Sequence, residues 1–450
     1  MKRRTLLTAA AGVTAGLAGC GEAVPGEWPA ATPGGNPQLD AIADAWGFDE
    51  FVDLEAEVEG PLADRELGGV LEAVAGDGRM LYLPPGRYRL ADSWAFSSFS
   101  KFGLVADNAT VVPPKGFRKP LFRLGDPGSA SQLLVSGLEF DFREPDTGGR
   151  PIAARVDDKL VLRDVTVTGR QDVESDGVRV DVASPDGTGL VERLRMPDGS
   201  VGEWSNTGCE VGDDTRGDVS FVDCRIEGFP DNGLYANPPE GRVRVLGGYY
   251  ANNGVASVRV NAGPGSVVRG VHVRCDDSPD GFENMRGIRL RGGRDVLIDK
   301  CLVEMLDVTS SDGAVTFASE QESATMRDTR IRVDADGVNA IRIKSPTDVV
   351  FARRGSFHIE DVVITGEAAT GSAIYASHRD DCRFSGLCVH QPGTERGGVQ
   401  AIRVNGSISD TYLAVTNAPY QFRNSNIDIS DVSVDRLTAG GDRLPNAGCK

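Results

Sequence analysis

The sequence predicts an all-β chain wound as a parallel solenoid of about twelve coils. Three observations predict it: a repeat of about 27 residues, period-two alternation on both sides of a short break within each repeat, and almost no helical periodicity. The repeat reads apolar-x-apolar-x-x-apolar-x-apolar. It is clear in LLVSGLEF from Leu133, LVLRDVTV from Leu160, VSFVDCRI from Val219, VLIDKCLV from Val296, FHIEDVVI from Phe357, CRFSGLCV from Cys382 and IDISDVSV from Ile427. Each copy makes two short strands with one face inward, because successive side chains on a strand point to opposite sides. The break between them holds Gly137, Asp164, Asp223, Gly270, Asp328, Asp361, Gly386 or Asp431, residue types that tolerate a left-handed backbone. A third strand lies between copies, as in SDGVRVDV from Ser175, MRGIRLRG from Met285 and VNAIRIKS from Val338. Three strands per coil, all in one sense, make a parallel β-helix, and at the interstrand spacing twelve coils stack into a rod of roughly 55 Å.

Taken from the N-terminus, residues 1–20 read as an export signal. Arg3-Arg4 precedes a short Ala- and Gly-rich apolar run of twin-arginine type, and Leu17-Ala18-Gly19-Cys20 resembles a lipobox with Cys20 as the lipidated residue. Residues 21–60 are expected to be a flexible tether, opening with Pro25, Pro29, Pro33, Gly34 and Gly35. Residues 61–126 should cap the solenoid and start its first coils. Within them Leu67, Val70, Leu71 and Val74 form one helical apolar stripe, and a cap is what the open end of a solenoid needs. Residues 127–437 carry the coils, and 438–450 form a tail.

The capping stripe followed by YLPPGRYRL, from Tyr82 to Leu90, resembles the entry of the pectate-lyase superfamily. That resemblance implies a single-stranded right-handed parallel β-helix and an extracellular polysaccharide as the class of ligand. The net charge of −18 argues against nucleic-acid binding, since a phosphate backbone would be repelled. Acid-rich and lysine-poor composition resembles the exported proteins of salt-accumulating haloarchaea, which together with the signal implies a cell-surface lipoprotein held to the membrane only by lipid. Eight cysteines without a CxxC pair make a zinc cluster improbable, and Cys209, Cys224, Cys301 and Cys382 fall at inward positions expected to pack. Oligomeric state is not legible.

In β-helix enzymes substrate lies along an outer strand face, so outward positions of the third strand are the candidates. Arg259, Arg289, Arg291, Arg342, Lys344, Arg403 and Arg423 read as a basic stripe, flanked by Tyr235 and Tyr375. Like charges at stacked positions repel, so an acidic polysaccharide is the expected partner: guanidinium forks match carboxylates and tyrosine rings match sugar faces. A uronate lyase needs charge neutralisation beside an arginine or lysine base, which makes Arg289 and Arg342 candidates for catalysis. Asp276, Asp277, Asp280 and Glu283, crowded before that stripe, are candidate hard-oxygen ligands for calcium. The competing chemistry is hydrolysis by paired carboxylates, for which Asp176, Asp213 and Asp231 come from successive coils. Arg342-Ile343-Lys344 resembles the Arg-Ile-Lys of polygalacturonases, but no Gly-His-Gly accompanies it, so β-elimination is favoured over hydrolysis. A non-catalytic adhesin or envelope module is the alternative, because the fold serves both.

Overall fold

A computed structural model of the chain describes residues 37–203, 205–347 and 355–439. The expected architecture is observed: an all-β parallel β-helix in which every strand pair runs parallel. One strand of each coil stacks into a sheet of thirteen strands, from Trp94–Phe96 to Tyr420–Arg423, and the other two strands of the coils form a sheet of 25. The winding therefore has about thirteen turns. All eight break residues have positive φ, from 49° at Asp223 to 76° at Gly137. Short polar Asp and Cβ-less Gly enter that region at least cost, so these positions turn the chain between the two strands of each repeat.

The interior is one continuous apolar column. Phe140, Phe221, Phe317 and Phe357 are fully buried in it, as are Val180, Ile288 and Ile341. Cys209, Cys224, Cys301 and Cys382 are all free thiols buried in this core, as their alternation requires. Two arginines are also interior. Arg396 is fully buried and donates to Val338 O at 2.7 Å, Ser372 O at 3.1 Å, Thr370 O and Gln391 Oε1 at 3.0 Å, clasping carbonyls of successive coils. Arg379 lies over the Phe357 ring at 4.8 Å and donates to Lys344 O and Gln321 O.

At the N-terminal end Leu62–Asp64 forms a 3₁₀ turn and Leu67–Val74 an α-helix, with Leu67 and Leu71 buried over the first coil. Glu66 caps that helix by accepting from Gly69 N at 2.8 Å. The tether read through residue 60 requires correction. Pro37–Trp46 is an α-helix and Glu50–Asp53 is a strand paired with Arg79–Tyr82. Leu39, Ile42, Ala43 and Trp46 fall at helical spacing, and that stripe packs on Met80, Val105, Leu134 and Val161 on the outside of the larger sheet. Lys159 Nζ lies 3.8 Å from the Trp46 ring centroid, closing the contact. No described helix is long and apolar enough to cross a membrane. The lipidation candidate Cys20 lies outside the described residues.

Candidate functional site

Strand register on the thirteen-stranded sheet defines one outward column: Arg179, Glu210, Tyr235, Arg259, Arg289, Thr316, Arg342 and Tyr375. Each lies beside the next at the spacing of paired strands, roughly 4.8 Å. The column has two halves of opposite character. At Arg179 and Glu210 it is a closed ion network: Arg179 binds Asp181 at 2.6 Å and Glu210 at 3.0 Å. Arg150 reaches Asp176 and Glu210, each at 3.2 Å, and Arg155 reaches the fully buried Asp181 at 3.2 Å.

From Tyr235 onward the acids stop. Arg259 stacks on Tyr235 with its guanidinium carbon 3.9 Å from the ring centroid, and Arg342 stacks on Tyr375 at 3.8 Å. Arg342 also donates to Ile343 O at 2.9 Å and Tyr375 O at 3.1 Å. Between these two stacks sits Arg289, and among the described residues none of the three arginines pairs with a carboxylate. The Nε atoms of Arg259 and Arg289 are buried without a protein hydrogen-bond partner. Burial, followed by the positive fields of Arg286, Arg259 and Arg291, pulls the Arg289 guanidinium down to about 10. Burial likewise lowers Arg342. Each of the two tyrosine rings carries a guanidinium on one side, which leaves at most the other face for a sugar.

The flanking cations are neutralised. Lys344 and Arg286 both bind Asp312, Arg286 at 2.6 Å, and Arg286 also donates to Val255 O. Burial pushes the Asp312 carboxyl up, but Arg286 and Lys344 outweigh it and bring it to about 2. Sequence reasoning missed Asp312, although a signal existed: Ser311-Asp312-Gly313 repeats Ser175-Asp176-Gly177 ahead of the same face. Arg291 is not in the column. Leu290 pairs with Phe317 but Gly292 with Glu320, so a bulge occurs here, and Arg291 forms an ion pair with Glu320.

Arg403 is also misplaced by the sequence reading. Tyr375 pairs with Gln400, which pairs with Gln421, while Arg403 follows the strand at φ 53° in an exposed turn. Val399, paired with Ile374, takes the inward position that the alternation had given to Ile402, and Ala401 takes the next inward place, so the frame shifts by three residues. Arg423 lies one coil further and outside the stripe's centre.

Two of the proposed acids meet on Thr207 and the third lies apart. Asp176 precedes its strand and accepts from Thr207 N at 2.9 Å as well as from Arg150, and Asp231 accepts from Thr207 Oγ1 at 2.8 Å and from Asn232. Asp213 follows its strand, at the opposite edge of the face, and is exposed. The arrangement of the described residues gives the calcium reading no support. Asp276 is held by Arg274 at 2.6 Å and by Asn252, while Asp277, Asp280 and Glu283 are exposed. Among the described residues no three His, Cys, Asp or Glu side chains converge to hold an ion. The stretch is an acidic loop in solvent.

No family model matches the chain, and no curated protein matches it. Solved structures similar to it are distant. The surface protein and adhesin PfbA of Streptococcus pneumoniae is 9% identical over 86% of this chain and 99% of that one, with a TM-score of 0.37. The A-module of the mannuronan C-5 epimerase AlgE4 of Azotobacter vinelandii is 12% identical over 87% of this chain and 100% of that one, at 0.40. The catalytic unit of a GH87 α-1,3-glucanase from Streptomyces thermodiastaticus is 12% identical over 88% of this chain and 70% of that one, at 0.39. Likenesses this remote concern the winding of the chain and carry no argument about its ligand.

Proposed function

We propose that this protein is an exported β-helix that binds an acidic polysaccharide along the face from Tyr235 to Tyr375. One observation carries the reading: Arg259, Arg289 and Arg342 stand in one column without a carboxylate partner among the described residues, on a chain of net charge −18. Holding like charges at adjacent strand positions costs free energy, which an anionic ligand would recover on binding. A polymer with a carboxylate on each sugar places its charges in a row, as the column does. Within this reading Arg259 and Arg342 hold carboxylates. Arg289 also holds a carboxylate while charged, and its deprotonated form, favoured by burial and the neighbouring arginines, removes the proton beside a neutralised carboxylate, the step that opens β-elimination. The N-terminal signal and Cys20 support tethering at the cell surface through lipid, with the described body outside the membrane.

The test is incubation with uronate polymers at high salt. Retention of polymer and unsaturated products seen by ultraviolet absorbance are expected. Failure to retain any uronate polymer would sink the binding reading, and retention without new chain ends would sink the cleavage step alone. A specific observation favours the second reading, a non-catalytic adhesin or envelope module. Asp176 and Asp231 meet on Thr207, but each is held by further structural donors, Arg150 and Asn232. Asp213 lies at the opposite edge of the face, which favours a non-catalytic role over hydrolysis by a carboxylate pair.

A further inference from the structure

The strands that carry Arg342 and Tyr375 end in residues that the binding face leaves unused. Beyond Ile341–Ile343 the chain runs Lys344-Ser345-Pro346, and beyond Ser372–Ser377 it runs His378-Arg379. Arg342 pairs with Tyr375 and Ile343 with Ala376, so the same register brings Ser345 beside His378 on the next coil. Ser345 Oγ lies 3.0 Å from His378 Nδ1 and 3.1 Å from Ser377 Oγ. Ser345 and His378 are half-exposed, whereas Ser377 is buried.

A serine hydroxyl is a weak nucleophile until a base within hydrogen-bond reach takes its proton. With the imidazole proton on Nε2, Nδ1 accepts from Ser345 Oγ, and the Ser377 hydroxyl donates to that same oxygen. Ser345 is thus the serine placed to react, and Ser377 is a positioning residue. The pair is held from below. Arg379, fully buried, follows His378 and donates from Nε to Lys344 O at 2.8 Å, the carbonyl just before Ser345. Pro346, itself buried, confines Ser345 to extended backbone. His378 N donates to Ile402 O at 2.8 Å, and a φ of 55° turns the chain there. One guanidinium therefore ties the backbone of the base to that of the nucleophile, which fixes their separation before any ligand arrives.

Position selects the bond to be broken. Ser345 follows Arg342 by three residues, roughly 10 Å along the strand, and so stands to one side of the arginine column. A polymer lying along Arg259, Arg289 and Arg342 keeps its glycosidic bonds over the column, and only a group projecting sideways reaches Ser345. The column holds free carboxylates, so that group is an ester on a sugar hydroxyl. We propose that Ser345 and His378 form an esterase dyad that removes acyl groups from the hydroxyls of the acidic polysaccharide, a choice of substrate that rests on the binding reading above. Ser345 Oγ attacks the acyl carbon and passes its proton to His378; the C–O bond to the sugar breaks, and the sugar oxygen leaves with that proton. Water then attacks the acyl-serine and gives a proton to His378. The carboxylic acid departs as that proton returns to Ser345 Oγ.

The test has three arms on the full chain: a fluorophosphonate probe, p-nitrophenyl acetate as a small ester that needs no polymer binding, and an O-acetylated uronate polymer. Peptide mapping is expected to find the probe on Ser345. Nitrophenolate release is expected to fall about a hundredfold or more in Ser345→Ala and in His378→Gln, at unchanged melting temperature. An unlabelled Ser345, or native turnover in Ser345→Ala, overturns the dyad. Acetate release from the polymer should depend on Ser345 in the same way, and polymer retained without loss of acetate overturns the pendant ester as substrate. Polymer not retained, with Ser345 labelled and the small ester cleaved, sinks the binding reading and leaves the dyad standing.

Discussion

Arg289→Gln separates a ligand-binding arginine from a structural one, because the two roles predict opposite signs. Gln keeps much of the stem and removes the charge. In the unliganded protein Arg289 faces Arg259 on the adjacent strand and lies in the field of Arg286 and Arg291, with no carboxylate paired to it among the described residues. Two cations about 5 Å apart repel by a few kcal/mol at an effective dielectric near 20, and solvent at this half-exposed face cuts that to on the order of 1 kcal/mol. Loss of the charge is therefore expected to leave stability unchanged or raise it by up to about 1 kcal/mol. A charge-assisted hydrogen bond to a bound carboxylate contributes about 1.5–3 kcal/mol, so affinity for a uronate oligomer should fall roughly ten- to hundredfold. Denaturant unfolding and calorimetric titration, both at fixed salt, measure the two quantities. Destabilisation beyond about 1 kcal/mol together with unchanged affinity would refute the reasoning and make Arg289 a scaffold residue.

Three further outcomes follow from the same geometry. Arg396→Met should destabilise by about 3–5 kcal/mol, because the buried carbonyls of Val338, Thr370 and Ser372 lose their donor together; Arg396→Lys should not rescue it, and a denaturation midpoint within error of the native chain would refute this. The carboxyl of Asp312 titrates at about 2, below its unfolded value of 3.8. Its contribution is therefore fully present above pH 4 and lost as pH falls toward 2, and Asp312→Asn should remove that part of the acid-unfolding curve; an unchanged curve would exclude the Arg286–Asp312–Lys344 cluster as a stabilising unit. If Arg289 acts as base, the elimination rate should climb as pH rises toward 10 while polymer affinity falls over the same interval, since both report its deprotonation; a rate flat in that range assigns the proton transfer elsewhere.

Much of the architecture was legible because it is written as periodicity. The alternation of Val178 and Val180, or of Ile341 and Ile343, states which side chains face inward, and the Asp or Gly in each break states where the backbone turns left-handed. What escaped was local irregularity. Nothing in IRLRGG announces that Arg291 is the bulged residue, because a bulge depends on the neighbouring strands, here Ala256–Asn261 and Val315–Gln321. Arg403 was misplaced because an apolar Ile402 imitates a core residue, while Val399 actually fills that place. The N-terminal helix was lost behind the prolines and glycines just before it, although Leu39, Ile42, Ala43 and Trp46 have the spacing of a packed face. Pairing of charges was the least legible property, because the partners come from different coils, as Arg150 and Glu210 do.

That pairing is what gives the site its meaning. Acids outnumber bases on this chain by 66 to 48, so an exposed arginine finds a carboxylate at little cost in order. Many arginines elsewhere on the solenoid do so: Arg163 meets Glu192 at 2.7 Å, Arg193 meets Asp164 at 2.6 Å, Arg269 meets Asp299 at 2.8 Å and Arg274 meets Glu304 at 3.0 Å. The interior arginines obey a different rule, donating to backbone carbonyls, and Arg396 spends its donors on Val338, Thr370, Ser372 and Gln391. Arg259 and Arg289 follow neither rule, and Arg342 satisfies only one nitrogen on carbonyls. Two of the three instead stand over tyrosine rings, a contact that holds each guanidinium in place without consuming its N–H donors. Arginines oriented but left unneutralised, on a surface where neutralisation is the norm, are arranged for a charge that the protein does not itself supply.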